Sequence, residues 1–175
     1  MPFAKSLIIF VVILVAGCTG VPEGIDPVSE LDVKRYEGTW YEIARLDHSF
    51  EEGLSNVTAD YAVQDDGSIQ VINRGYSEED GQWEEAEGRA VFVSDERNGH
   101  LKVSFFGPFY ASYVVFGLDD DYEYAYITGY DRDYLWFLSK TPTVDDEALA
   151  AFREEAIAKG FDLEELIVVD QGRNR

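Results

Sequence analysis

The side chains able to do chemistry in this chain are few and scattered. Cys18 is the only cysteine, and His48 and His100 are the only histidines, among 175 residues. Cys18 closes the apolar stretch "LIIFVVILVAGC", and with no second thiol it cannot form an intramolecular disulfide. His48 sits in "LDHSFEEG", where neighbouring carboxylates make it a conceivable base, although the plainer role is a solvated loop side chain. His100 lies several strand-like segments away. Neither histidine has a Ser, Cys or metal-ligand partner at a spacing that builds a triad or a metal site. The expectation is a protein that binds rather than catalyses, with no catalytic residue, no metal and no cofactor. Arg45, if it reached a binding-site rim, would suit a carboxylate or phosphate; the plainer role is a surface ion pair with the surrounding acids.

The elements that must carry these residues are strands. Segments of alternating, β-branched and aromatic residues follow one another: "TWYEIARL", "VTADYAV", "SIQVINRGY", "GRAVFVSD", "LKVSFF", "YASYVVFGL", "YAYITGY" and "YLWFLSK". Short polar turns such as "QDDG", "DERNG" and "DRD" separate them, as hairpins require. Strands joined in this up-and-down way close naturally into a barrel, which removes unpaired edges. The fold class is therefore mostly β: an eight-stranded antiparallel up-and-down barrel with one C-terminal α-helix packed outside and a short ninth strand. The helix is read from "TPTVDDEALAAFREEAIAKGFD", with Thr143 and Asp146 as an approximate capping box, Leu149, Phe152 and Ala156 as a narrow apolar stripe, and Gly160 as the stop. The ninth strand is "ELIVVDQ".

The N-terminal seventeen residues carry one lysine and an apolar run too short to span a bilayer as a permanent helix, which reads as a secretory signal. With Cys18 immediately after small residues, the junction resembles the bacterial lipoprotein box, in which the signal is removed and the cysteine lipidated. Several acyl chains would anchor the protein firmly. Thr19 in the second mature position favours the outer membrane under the sorting rule of that class, and a periplasm-facing, lipid-anchored protein follows. The division is then 1–17 signal peptide, 18–30 lipidated N-terminus and Pro/Gly-containing tether, and 31–175 folded domain. The formal net charge of −21 removes nucleic acid from the partners, because phosphate binding needs clustered Lys and Arg.

An eight-stranded barrel is just wide enough either to hold one small ligand or to be filled by its own side chains. Period two assigns faces. Tyr134, Trp136, Leu138 and Lys140 share one face of the eighth strand, and Trp40, Glu42 and Ala44 one face of the first. A face that runs aromatic, acidic, small suits a lined cavity better than a solid core. With inverted parity Glu42 would instead meet solvent, and Trp40 is best read as a plug at the barrel base.

"GTWYEIARLDHSFEEGLSNVTADY", "VINRGY", "LKVSFFGPFY" and "DRDYLWFLSKTP" together resemble the bacterial lipocalins of the outer membrane lipoprotein type, with apolipoprotein D as a more distant relative. The resemblance runs from about residue 32 through the last strand. It implies a lipocalin barrel with a helical turn in "LDVKRYEG" under Gly38 and Trp40. The family's second motif is present as "LDDDY", with Leu118 in place of Thr. Its third-motif Arg, which packs over the first-strand Trp, is Lys140 here. An ammonium makes a less preorganised cation–π contact than a guanidinium, with a contribution at the low end of about 0.5–2 kcal/mol.

Lipocalin topology places "DHSFEEGLSN", "GYSEEDGQWEEAE", "GPF" and "YDRD" around an open mouth, with Phe50 and Leu54 as an apolar lid. The resemblance implies Trp136 and Tyr110 as lipid contacts, and the lipocalin topology puts Phe106, Phe109 and Phe50 near the mouth; Glu42, Ala44 and Leu138 complete the cavity residues from the strand faces. The resemblance implies a fatty acid or lysophospholipid as ligand. Burying about fourteen methylenes gains roughly 11 kcal/mol at about 0.8 kcal/mol each, against association costs of about 4–15 kcal/mol. Moderate affinity for transport or storage follows. The competing classes are an envelope interaction module with a filled barrel and a lipid-modifying enzyme on the same scaffold.

Overall fold

The computed structural model describes residues 19–173. Cys18 and the signal segment lie outside the described residues. The elements are α1 (Val33–Tyr36), β1 (Gly38–Leu46), β2 (Leu54–Val63), β3 (Ile69–Ser77), β4 (Gln82–Phe92), β5 (His100–Phe106), β6 (Phe109–Leu118), β7 (Tyr124–Thr128), β8 (Leu135–Ser139), α2 (Asp146–Ala158) and β9 (Leu166–Val168). Each of β1 to β7 pairs antiparallel with the next, and β8 pairs back onto β1, closing an eight-stranded barrel. Apolar side chains fill two layers. One lies inside the barrel around Trp40, Val71 and Ile127, and the other lies between the barrel and α2.

The base is closed by α1. Asp32 caps it by accepting from the Lys34 amide, and Tyr36 at its end is buried under the Trp40 ring, 4.7 Å between centroids. Trp40 is fully buried, donates its indole N–H to the Tyr36 carbonyl at 2.8 Å, and lies 4.4 Å beneath Lys140 Nζ. Lys140 also donates to the Glu37 carbonyl, so the ammonium is tied to the backbone as well as to the ring. Gly38 enters β1 with φ +92°, a conformation other residues adopt only under strain. The "LDDDY" turn ties to the same base: the Asp119 carboxylate accepts from the Glu123 and Tyr124 amides, and Arg35 stacks on the Tyr122 ring.

β1 changes partners midway. Gly38–Tyr41 pair with β2, whereas Ala44–Leu46 pair with β9. A bulge between Glu42 and Ala44 marks the switch, and β2 is itself irregular between Ser55 and Thr58. Residues 166–173 fill the gap. The Val169 amide donates to the Ile43 carbonyl, the Asn56 amide donates to the Asp170 carbonyl, and the Gln171 side-chain amide donates to both the Glu42 and Val57 carbonyls at 2.8 Å. These bonds give backbone groups at the seam the partners that a regular β1–β2 ladder would have supplied.

Three expectations from the sequence need correcting. The acidic run "QWEEAE", read as part of a mouth loop, is strand: β3 runs to Ser77 and β4 starts at Gln82, register-paired from Ser77–Gln82 to Ile69–Ala90. Helix α2 is capped by Asp145, whose carboxylate accepts from the Ala148 amide, and not by Thr143. Residues 19–28, read as part of a tether, lie against the outer wall. Ile25 is buried, Val28 exchanges backbone hydrogen bonds with Val115 and Gly99, and Ser112 donates to the Gly20 carbonyl.

Candidate functional site

The barrel encloses a cavity of about 690 Å³, open at the end opposite α1 and within the size range of small-ligand sites. Its floor holds three phenols: Tyr113 Oη lies 2.8 Å from Tyr36 Oη and 2.9 Å from Tyr61 Oη. Burial holds all three well above the ordinary tyrosine range, so they are neutral hydrogen-bonding groups. The middle is apolar, walled by Val71, Ala90, Leu101, Val103, Ile127 and Leu138.

The charged groups gather in the upper third. The β1 bulge turns Arg45 to the same side as Glu42, and Arg45 Nη1 donates to Glu42 Oε1 at 2.8 Å with both side chains buried. Arg45 Nη2 donates to the Glu51 and Leu54 carbonyls, which pins the loop over β1. Trp136 donates its indole N–H to Glu51 Oε2 at 3.0 Å. Burial pushes the Glu42 carboxyl well above the usual carboxylate range, and Glu51 adds to this while Arg45 opposes it. Burial likewise raises Glu51, against the Trp136 hydrogen bond and Arg45.

His48 is not a solvated loop side chain. Its ring stacks on Phe50 at 3.8 Å and packs 5.0 Å from Trp136, with Nε2 at 3.3 Å from Glu51 Oε2. Burial, reinforced by the Arg45 charge, lowers its pKa from 6.5 to about 4, so it is neutral at physiological pH. Arg45 is likewise not at the surface: it is 1% exposed and pairs with the buried Glu42, with the exposed Asp47 carboxylate 3.6 Å from its Nε.

The other candidates fall as follows. Trp136, Leu138 and Glu42 line the cavity, and Phe50, Leu54, Tyr110, Phe106 and Phe109 line its mouth. Phe106 and Phe109 also face solvent at the β5–β6 tip. Ala44 does not line the cavity. The bulge moves it into the layer between the barrel and α2, where it is fully buried. His48, Glu51, Arg74 and the three phenols were absent from the expected site. An inward-folding loop hides His48 and Glu51 from period-two counting, whereas Tyr61 and Tyr113 share the cavity faces of Val57 and Ala59 and of Ala111 and Val115, so alternation was the signal that could have found them.

Comparison with known proteins agrees with this geometry. Residues 31–171 match the family model of the lipocalin-like domain. The chain is 57% identical over 160 residues to Outer membrane lipoprotein Blc of Vibrio cholerae, covering 91% of this chain and 94% of that protein. It is 49% identical over 160 residues to Outer membrane lipoprotein Blc of Escherichia coli, covering 90% of each. Among solved structures, insecticyanin from the tobacco hornworm Manduca sexta superposes with a TM-score of 0.68 at 22% identity, covering 86% of each chain, which is a likeness of fold. With the closed barrel, the helical floor under Trp40 and the family match along residues 31–171, the chain belongs to the lipocalin family.

Proposed function

We propose that this lipocalin is a lipid carrier anchored through Cys18 in the outer membrane and facing the periplasm, in keeping with the names of its relatives. Its ligand is a single-chain amphiphile, a fatty acid or a lysophospholipid, with the tail in the apolar middle and the headgroup near Glu42, Glu51 and Trp136. The observation that carries the choice is the charge of the lining. Four acids, Glu42, Glu51, Glu84 and Glu85, line the cavity against one arginine, Arg74, which is already paired with Asp60 and Glu85; Glu42 is paired with Arg45 behind the lining, and a cationic headgroup would draw the buried Glu42 and Glu51 into their ionised forms. A free carboxylate would meet like charge there, whereas an ammonium group would meet opposite charge. We therefore favour a lysophospholipid whose headgroup carries an amine, such as lysophosphatidylethanolamine. The chemistry proposed is binding alone, since His48 is packed between rings and not presented to a nucleophile.

The test is mass spectrometry of lipids that copurify with the protein, joined to fluorescence titration of wild type and Trp136→Phe. Amine-bearing lysophospholipids should be found bound, and they should change Trp136 emission at lower concentration than palmitate does. A protein that carries no lipid and shows no emission change with either ligand would instead have the filled barrel of an envelope interaction module.

A further inference from the structure

The mouth of the barrel exposes an aromatic ring of residues with a member on every connection at that end. Phe50 stands between β1 and β2, Trp83 beside the β3–β4 turn, Phe106 and Phe109 at the β5–β6 tip, and Tyr130 between β7 and β8. Phe50, Phe106 and Phe109 are 61%, 82% and 75% exposed. Among the described residues the other exposed large apolar side chains, Val93, Ile157 and Val168, are aliphatic, so every exposed large aromatic stands at the mouth. Single exposed apolar residues need no explanation, but aromatics confined to one end of a molecule do. Rings of this kind settle at the boundary between bilayer headgroups and acyl chains.

A second observation concerns where the chain enters the fold. The Thr19 carbonyl lies 2.9 Å from His100 Nε2, and the Gly20 carbonyl accepts from Ser112 at 2.6 Å, so the residue after Cys18 is fixed on the outer wall of β5 and β6. Ser112 is three residues along β6 from Phe109, about 10 Å at the usual strand rise. Thr19 and Gly20 therefore lie on the side of the barrel whose β5–β6 tip carries the most exposed pair of the aromatic ring.

We infer that the mouth docks on the phospholipid bilayer that holds the anchor, with the Phe106–Phe109 tip inserted at headgroup level, so that the cavity opens onto the membrane and not into the aqueous space. The inference rests on the proposed lipidation of Cys18 and on the reading of the cavity as a lipid site. The net charge of −21 opposes approach to a bilayer containing anionic lipid, so the anchor is essential to docking: it holds the rim at high effective concentration against that repulsion.

The experiment uses the full lipidated chain in vesicles of phosphatidylethanolamine and phosphatidylglycerol. An environment-sensitive fluorophore is attached through Gly107→Cys, where an added side chain meets nothing within 4 Å, or through Val93→Cys at the opposite end. Emission from position 107 should rise several-fold on vesicles and be quenched by lipids brominated near the headgroup, while position 93 stays aqueous. The Phe106→Ser, Phe109→Ser double variant should lower the vesicle-induced rise at position 107 several-fold and slow lysophospholipid transfer out of vesicles. An aqueous signal at position 107, or a signal that needs more than one copy per vesicle and so reports a second copy on the patch, would overturn docking. A membrane signal at position 107 with no binding of dispersed lysophospholipid would support docking and overturn the cavity reading alone.

Discussion

Arg45 and Glu42 form a buried ion pair between side chains three positions apart on one strand, 2.8 Å from Nη1 to Oε1. On a regular strand, residues three apart point to opposite faces. The bulge between Glu42 and Ala44 is what brings the pair together, and it does so under the rim of the cavity.

Removing the cation alone should therefore be severe. Arg45→Met leaves two buried carboxyls without their guanidinium and frees the Glu51 and Leu54 carbonyls, and a loss of about 3–5 kcal/mol is expected in urea denaturation. The double change Glu42→Leu, Arg45→Met should recover part of that loss. A single variant as stable as wild type would show that the pair is not buried in solution.

His48 sets an acid limit. Its folded pKa of about 4 lies below the ordinary 6.5, so its contribution is complete above pH 6.5 and lost as the pH falls toward 4. At about 1.4 kcal/mol per pH unit the loss reaches roughly 3 kcal/mol. Glu42 and Glu51, raised by burial, shift stability the opposite way over their own range. The histidine is isolated by comparing wild type with His48→Gln at pH 7 and pH 4. The advantage of wild type should shrink by about 2–3 kcal/mol between them, and a constant difference would contradict the depressed pKa.

The same acids make ligand affinity depend on pH. An ammonium headgroup needs Glu42 and Glu51 ionised, and burial favours their neutral forms, so binding should release protons and strengthen as the pH rises. A fatty acid should show the reverse slope. Calorimetry in two buffers of different ionisation enthalpy measures the proton release. Glu42→Gln should weaken the amine-bearing ligand by about tenfold, near 1.4 kcal/mol.

Gln171 supplies two hydrogen bonds to backbone carbonyls on either side of the seam, those of Glu42 and Val57. Gln171→Ala should cost about 1–3 kcal/mol and speed amide exchange in the upper halves of β1 and β2. Exchange unchanged there would mean that the seam holds without it.

At the floor, Lys140→Met removes the cation over Trp40 and the donor to the Glu37 carbonyl, and about 1–2 kcal/mol should be lost. Lys140→Arg, which restores the residue type implied by resemblance, should be neutral or slightly stabilising in thermal denaturation.

The barrel was legible because alternation survives in most strands. Tyr134, Trp136 and Leu138 fall on the cavity face that period two gives them. What failed did so for local reasons. β4 carries "QWEEAE" exposed on both faces, so it has no apolar alternation and is held by its pairing with β3. Ala44 and Arg45 exchanged roles because one bulge inverts parity for the rest of a strand. His48 looked solvated among acids because the fold of its own loop, which stacks it on Phe50 beneath the rim, is a tertiary fact. Val28 docks through backbone hydrogen bonds, to which side-chain pattern is blind.

The stitched seam also has a meaning in time. Gln171 is separated by 129 positions from Glu42 and by 114 from Val57, so the first two strands cannot be locked together until nearly the whole domain is available. Contacts of such long range form late, after the entropy of a large loop has been overcome. Without that stitch the wall would part between the upper halves of β1 and β2, above the Gly38–Tyr41 pairing, and give a lipid tail a lateral way in; with it the mouth is the way in.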